Sequence, residues 1–271
     1  MSEKRKQMKK AINRELREHK SSFYVYTVLR ALTIITVIFQ MLAGNWESAF
    51  LAMLTLAMLI IPSFLQVTLK IELPTVLEII VLLFIFAAEI LGEIQGFYVK
   101  FPFWDDVLHT LNGFLAAAVG FSLVDVLNKS EKLTFDLSPF FTVMVAFCFS
   151  MTIGAMWEIF EFSMDMIGGF DMQKDTVVTG ISSVMLDPTG GNTPTAIPGI
   201  TEVYINGAAL GLGGYLDIGI IDTMNDLIVN FIGAAVFSVI GYVNIKTEGM
   251  SKLVAKLKLR RKHEDEDYME S

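Results

Sequence analysis

The sequence predicts an all-α integral membrane protein: a six-transmembrane-helix bundle with a long extracytoplasmic loop between helices five and six. Hydrophobic residues make up 53% of the 271 residues and charged residues only 18%. The mean hydropathy is +0.54. The apolar residues fall into six runs, each with the roughly 20 residues that a helix needs to cross the hydrocarbon core. Such a composition is typical of proteins that cross a bilayer several times.

Turns separate the expected spans along the chain. The spans cover residues 23–43, 48–69, 75–95, 104–128, 138–166 and 222–245. Pro62 lies inside the second span, and we expect a kink there because proline removes a backbone hydrogen bond. In this division residues 1–22 are a basic cytoplasmic segment, residues 23–245 the membrane domain and residues 246–271 a charged cytoplasmic tail.

The loop at residues 167–221 differs in composition from the rest of the chain. It is rich in Gly, Thr, Asp and Pro, and it contains no apolar run long enough to span. Residues 201–205 and 215–221 are candidates for short strands. Loops of this length in compact proteins are usually either functional or disordered.

The distribution of lysine and arginine predicts the orientation. Of the 21 Lys and Arg residues, only Lys100 and Lys174 fall on the side opposite the termini. Basic residues collect on the cytoplasmic side, so both termini are expected in the cytoplasm and the loop at 167–221 outside. The net charge of −8 does not indicate a nucleic-acid partner. The expected partner is the lipid bilayer, and the single cysteine, Cys148, excludes an intrachain disulfide.

Polar residues concentrate at the predicted outer ends of spans three to six. Asp105 and His109 are four apart, as are Asp222 and Asp226, so each pair shares one helix face. The full set comprises nine carboxylates and one imidazole: Glu89, Glu93, Asp105, Asp106, His109, Glu158, Glu161, Asp165, Asp222 and Asp226. The interior of a bundle is the natural place for such polar stripes, so we expect them to meet there.

These acids predict a cation site, because the four spans that carry them contain no lysine or arginine. Clustered carboxylates need either shared protons or a bound cation. Carboxylates with one imidazole suit Mg, Mn, Ca or Zn. The predicted metal ligands are Asp105, His109, Glu158, Glu161 and Asp226. We assign catalysis to His109 and Glu158, and substrate binding to Asn112, Asn225, Asn230 and Trp157.

Structural roles explain some of these residues equally well. Asp105, Asp106 and Asp222 sit where a helix begins, and carboxylates there cap free N–H groups. Glu89 and His109 are alternatively hydrogen-bond partners of a neighbour. Glu93 and Asp165 are alternatively solvated at the membrane surface. Glu158 and Glu161 resist such explanations best, because they lie near a helix C-terminus where the helix dipole disfavours a carboxylate.

Three motifs occur in a fixed order along spans four to six. They are Asp-x-x-x-His-x-x-x-Gly at 105–113, Trp-Glu-x-x-Glu-Phe at 157–162, and Asp-x-x-x-Asp-x-x-x-Asn-x-x-Gly-Ala at 222–234. The order resembles the YjdF-type family of uncharacterised bacterial inner-membrane proteins and, more distantly, the VanZ-like family. The resemblance implies a multi-pass protein of the bacterial cytoplasmic membrane. The YjdF-type family has no established activity, and VanZ-like proteins are associated with low-level resistance to a lipoglycopeptide antibiotic.

Three classes of function fit these observations. The first is a metal-dependent enzyme that acts at the outer leaflet on a lipid-linked or envelope substrate. The second is a non-catalytic protein that binds an envelope ligand in the acidic pocket. The third is a cation or proton transporter, which needs polar residues continuing to the inner side; Glu78, Asp125 and Asn128 are the candidates.

Overall fold

The computed structural model describes residues 3–128, 137–249, 251–262 and 268, and of Glu3, Lys4 and Asn128 only the backbone. The α-helices are α1 Glu3–Glu18, α2 Lys20–Leu42, α3 Trp46–Met58, α4 Ile61–Leu69, α5 Thr75–Phe86, α6 Phe97–Lys100, α7 Trp104–Asn128, α8 Pro139–Ser163, α9 Ile220–Lys246 and α10 Lys252–Leu257. The strands are β1 Ile71–Glu72, β2 Val177–Val178, β3 Gly180–Ser183, β4 Thr195–Pro198, β5 Tyr204–Ile205, β6 Ala208–Ala209, β7 Tyr215–Leu216 and β8 Arg260–Arg261.

The six predicted spans are confirmed. Among the described residues, six helical stretches are long and apolar enough to cross a membrane: Lys20–Leu42, Trp46–Leu69, Thr75–Ile94, Trp104–Leu127, Pro139–Gly168 and Ile220–Lys246. Their boundaries differ from the predicted ones by a few residues, which is the usual uncertainty at helix ends. The predicted fold class, an all-helical membrane bundle, therefore holds.

Two of the spans are not continuous α-helices. The second span breaks between α3 and α4, and Pro62 occupies the first turn of α4, where its missing N–H costs least. The helix thus breaks next to Pro62, where the sequence predicts a kink. The third span continues from α5 into a π-helical stretch, Ala87–Ile94. The wider turn changes which residues share a face, and Glu89 is partly buried whereas Glu93 is exposed.

The chain divides into two compact units, Met1–Thr152 with Val229–Ser271, and Ile153–Ile228. The core of the first unit is formed by side chains from α5, α7, α8, α9 and the C-terminal segment. It comprises Leu73, Leu77, Leu115, Ala117, Ala118, Phe121, Val143, Ala146, Ala234, Phe237, Val254, Leu257 and Leu259. A second cluster of Tyr26, Leu29, Leu59, Leu82 and Ile85 joins α2, α5 and the turn after α3.

Helices α7 and α9 approach closely through glycine. A Cβ added at Gly233 would lie 2.0 Å from the carbonyl oxygen of Thr110. A Cβ added at Gly113 would lie 2.1 Å from the carbonyl oxygen of Asn230. Small residues at such crossings let two backbones meet, which is how membrane helices gain packing energy without a hydrophobic driving force. Gly233 and Gly113 therefore mark the point where α9 crosses α7.

The C-terminal segment folds back onto the first unit. Strand β8 pairs antiparallel with β1, so that Glu72 faces Arg260, with which it forms an ion pair. The backbone N–H of Leu259 donates to Ser122 Oγ at 3.1 Å. Lys258 Nζ lies 2.9 Å from Asp125 Oδ2. Residues 252–262 are therefore packed structure, a feature that their charged composition did not predict.

The second unit contains the C-terminal part of α8, the long loop and the start of α9. Three two-stranded antiparallel pairs organise the loop: β2 with β7, β3 with β4, and β5 with β6. Two of these strands, β5 and β7, fall within the segments that the sequence marked as candidate strands. A second π-helical turn, Met164–Gly168, extends α8 before the loop begins.

Replacing Gly233 by Ala should destabilise the protein by about 1–3 kcal/mol, because the new methyl group overpacks against a backbone carbonyl that cannot move alone. Gly241→Ala is the matched control in the same helix. Its Cβ meets ring carbons of Phe121 at 3.2 Å, which can give way. Both substitutions gain similar helix propensity. Thermal unfolding in detergent measures the difference, and equal midpoints for the two variants would contradict the close crossing.

Candidate functional site

Three buried carboxylates meet in the second unit, and we call them the acid triad: Glu158, Glu161 and Asp226. Glu158 and Glu161 are three apart on α8 and therefore share a face. Asp226 lies in the second turn of α9. One ligand oxygen from each lies within 4.8 Å of the other two. The side chains are only 5%, 9% and 2% exposed. The acid triad thus brings together three of the five predicted metal ligands.

Trp157 orients one member of the acid triad. Its indole Nε1 donates a hydrogen bond to Glu161 Oε1 at 2.9 Å. The indole ring packs near Phe160, with ring centroids 5.4 Å apart. Trp157 is 40% exposed, so part of its surface is not covered by the protein. The residue was predicted to bind substrate, and the structure gives it a positioning contact in addition.

The remaining acids at the ends of α8 and α9 hold the loop. Asp165 accepts hydrogen bonds from the backbone N–H groups of Met172 at 2.6 Å and Gln173 at 2.8 Å. Asp222 accepts from the backbone N–H of Lys174 at 2.7 Å. The side chain of Gln173 also donates to Thr223 Oγ1. Neither Asp165 nor Asp222 belongs to the acid triad; both fix the point where the loop leaves α8 and returns to α9.

Asp217 joins the loop to the start of α9, and sequence reasoning missed it. It accepts backbone hydrogen bonds from Thr176 at 2.7 Å, Ile221 at 2.9 Å and Gly219 at 3.3 Å. The bond to Ile221 caps the first turn of α9. An aspartate a few residues before a predicted helix is the signal that could have revealed this cap. Burial alone would raise the pKa of the Asp217 carboxyl, but the backbone N–H groups outweigh it and lower the pKa.

Acid should loosen the loop through Asp217. Because its folded-state pKa is depressed, its stabilising effect is present above the unfolded value of about 3.9 and is lost as the pH falls through the folded pKa. Hydrogen–deuterium exchange of residues 175–221, corrected for intrinsic rates, should therefore rise below about pH 4. Asp217→Asn should show raised exchange already at neutral pH. Exchange that is unchanged in this variant would contradict the assignment.

In the first unit, His109 and Asp105 form a pair within α7. His109 Nε2 lies 3.5 Å from Asp105 Oδ1. The imidazole is buried, with the residue 7% exposed, whereas Asp106 is exposed to the surroundings. The predicted i to i+4 contact is present. It is compatible with both interpretations of His109, the ligand and the hydrogen-bond partner of a neighbouring carboxylate.

Two of the predicted substrate-binding asparagines bind each other. Asn112 Nδ2 donates to Asn230 Oδ1 at 3.1 Å, which links α7 to α9. The amide of Asn230 is fully buried, and its Nδ2 lies 3.6 Å from the sulfur of Met151 on α8. Ser150 Oγ donates to the carbonyl of Gly113 at 2.7 Å. These contacts give Asn112 and Asn230 a helix-joining role, while Asn225 is exposed on α9.

The comparison with known proteins establishes the family. Residues 23–247 match the family model described as "Predicted membrane protein (DUF2238)". The chain belongs to this family. The match includes every residue of the acid triad and all six spans except the first three residues of the first span. No solved structure matches the chain.

A curated relative of this DUF2238 protein comes from Thermotoga maritima and is described as an uncharacterised protein. The two are 29% identical over 104 residues, which cover 38% of this chain and 49% of the relative. The alignment thus spans about half the length of the relative. The family name supports a membrane protein. Neither the family name nor this relative assigns a ligand or a reaction.

Proposed function

We propose that this DUF2238 protein binds a divalent metal ion at the acid triad and uses it on a lipid-linked or envelope substrate. The observation that supports the proposal is the convergence of three buried carboxylates from two membrane-spanning segments, with ligand oxygens within 4.8 Å of one another. Sequence motifs that resemble YjdF-type and VanZ-like families agree with a role in the bacterial envelope.

The electrostatics of the acid triad favour a cation. Like charges at this spacing repel strongly in a low-dielectric environment, so the carboxylates must share protons or bind a positive ion. A divalent ion offsets two negative charges at once. Ligands that are all oxygen suit hard ions, so Mg, Mn or Ca fits the acid triad better than Zn, which usually takes nitrogen or sulfur as well. Of the four ions that the sequence suggested, we propose one of these three.

Three protein ligands leave coordination positions open for water and substrate. An ion held this way can polarise a phosphoryl or carbonyl oxygen and can lower the pKa of bound water. In this proposal Glu158 binds the metal ion, so a different residue would have to transfer the proton. The sequence assigns proton transfer to His109, and this assignment stays a prediction. The assignment of Asp105 and His109 as further metal ligands also stays a prediction.

The first unit supports the transport alternative less well than it supports a metal-dependent enzyme or a binding protein. A cation path would require polar side chains along α7 and α9 beyond the bonded pair Asn112 and Asn230. The next turns carry Leu115, Ala118 and Phe237, which are buried in the apolar core. Close-packed apolar side chains do not solvate a moving ion. Non-catalytic ligand binding remains the second candidate, and it shares the metal site with the first.

Metal binding tests the proposal directly. Full-length protein in nanodiscs, stripped of metal and titrated with Mn²⁺, should show one saturable site per chain by electron paramagnetic resonance. Glu158→Gln and Asp226→Asn should weaken that binding by at least about tenfold, since each removes a charged ligand. Glu202→Gln, which removes a carboxylate from the loop, should leave it unchanged.

A stability measurement gives a second readout of metal binding. Mg²⁺, Mn²⁺ or Ca²⁺ at 100 times its dissociation constant should stabilise the unaltered protein by about 2.7 kcal/mol. Absence of any saturable site, or equal binding in Glu158→Gln and Glu202→Gln, would overturn the metal proposal. Saturable binding without turnover of any phospholipid or lipid-linked phosphoester would favour the ligand-binding alternative.

The proposal also requires the long loop to face outward. The distribution of Lys and Arg supports this orientation, with both termini in the cytoplasm of a bacterial inner membrane. In a Cys148→Ala background, a cysteine introduced by Thr189→Cys should react with a membrane-impermeant maleimide in spheroplasts. One introduced by Lys256→Cys should react only after lysis. The reverse pattern would place the loop in the cytoplasm and exclude an envelope substrate.

A further inference from the structure

The N-terminal helix carries a basic groove far along the sequence from the acid triad. It occupies about 610 Å³, and its described lining consists of five cations, one acid, Asn13 and an aromatic ring. The cations are Lys6, Lys9, Lys10, Arg14 and Arg17. They recur at three- and four-residue intervals, so they form one continuous stripe along α1. This stripe is what we call the basic groove.

The opposite face of α1 is packed against the protein. Ala11 and Glu15 are buried, and Leu16 is partly buried. Glu15 forms a buried ion pair with Lys262 of the C-terminal segment. With one face fixed in this way, α1 must present its cations away from the protein. The packing of α1 against the protein therefore fixes the direction in which these cations point.

Tyr268 forms one wall of the basic groove. The guanidinium carbon of Arg14 lies 5.7 Å from the centroid of the Tyr268 ring, and Lys262 Nζ lies 5.2 Å from it. The hydroxyl group donates a hydrogen bond to Glu18 Oε2 at 2.5 Å. Among the residues that the structure describes, Glu18 is the one acid that lines the groove. The phenol partly engages its charge, and within the described part of the chain the five cations outnumber it.

The position of the basic groove points to the membrane surface. Helix α1 ends at Glu18, and the first membrane span begins at Lys20. The cations therefore lie next to the point where the chain enters the bilayer. From Lys6 to Arg17 the stripe rises about 16 Å, a length that can contact more than one phosphate. Clusters of four to eight basic residues beside a span are typical sites for anionic lipids.

We propose that the basic groove binds the phosphate headgroups of anionic phospholipids in the adjacent leaflet. Lysine contributes as a point charge, and the planar groups of Arg14 and Arg17 can make paired hydrogen bonds to phosphate oxygens. Bound lipid would hold α1 against the membrane surface. A soluble phosphate offers the same chemistry, so the test must separate the two sources.

Native mass spectrometry of the full-length protein measures its preference between two lipids. The protein is released from detergent that contains equal amounts of phosphatidylglycerol and phosphatidylcholine. The unaltered protein should retain phosphatidylglycerol selectively. The triple variant Lys6→Gln, Lys9→Gln, Lys10→Gln should bind it about tenfold to a hundredfold more weakly, since each basic residue near a surface contributes roughly 1 kcal/mol. These three lysines are exposed, so the fold should survive, and circular dichroism checks this.

The matched control removes the same charge from another exposed set: Lys252→Gln, Lys256→Gln and Arg261→Gln. It should retain the preference for phosphatidylglycerol. An equal loss in both triple variants would show attraction to net charge alone and overturn the site. Displacement of the lipid by 1 mM soluble pyrophosphate would assign the groove to a free anion and would also overturn the proposal.

Discussion

Carboxylates in membrane-spanning helices are the constraint on which the rest of this structure depends. A charged group in hydrocarbon costs on the order of 3 kcal/mol even on lenient insertion scales. The protein nevertheless buries Glu158, Glu161 and Asp226 with one oxygen of each within 4.8 Å of the others. That arrangement increases the electrostatic repulsion between the three carboxylates. If the carboxylates only needed solvation, placing them apart would cost less free energy. A bound cation turns the same arrangement into an attractive one, which is why the acid triad is the basis of the proposed function.

The other acids at the same helix ends solve a different problem. A long loop without a large core of its own must satisfy its backbone polar groups. Asp165, Asp217 and Asp222 do so by accepting backbone hydrogen bonds from residues 172–176 and from the first turn of α9. Acidic side chains thus occur in two arrangements in this unit: three are buried close together in the acid triad, and three are fixed anchors where the loop begins and ends.

The two termini extend the protein beyond its spans. The C-terminal segment supplies Leu257 and Leu259 to the core and pairs β8 with β1, while Lys262 neutralises Glu15 on α1. Burial raises the pKa of Glu15, although Lys262 acts in the opposite direction. The packed face of α1 then fixes the basic groove on its other face. Helices α1 and α10 pack against the protein although their sequences are strongly charged, because apolar residues recur among the charges at helical spacing.

The sequence by itself determined the six spans, the kink at Pro62 and the pairing of Asp105 with His109, because hydropathy and helical periodicity are local properties. It also placed Glu158, Glu161 and Asp226 among the candidate ligands. Only the tertiary structure decided which acids meet, because that depends on the rotation of α8 and α9, which spacing along one helix does not define. The same holds for Asn112 and Asn230, whose mutual hydrogen bond joins residues 118 positions apart. Several helix faces are equally polar in the sequence, and only the packing between helices decides which of these faces contact one another.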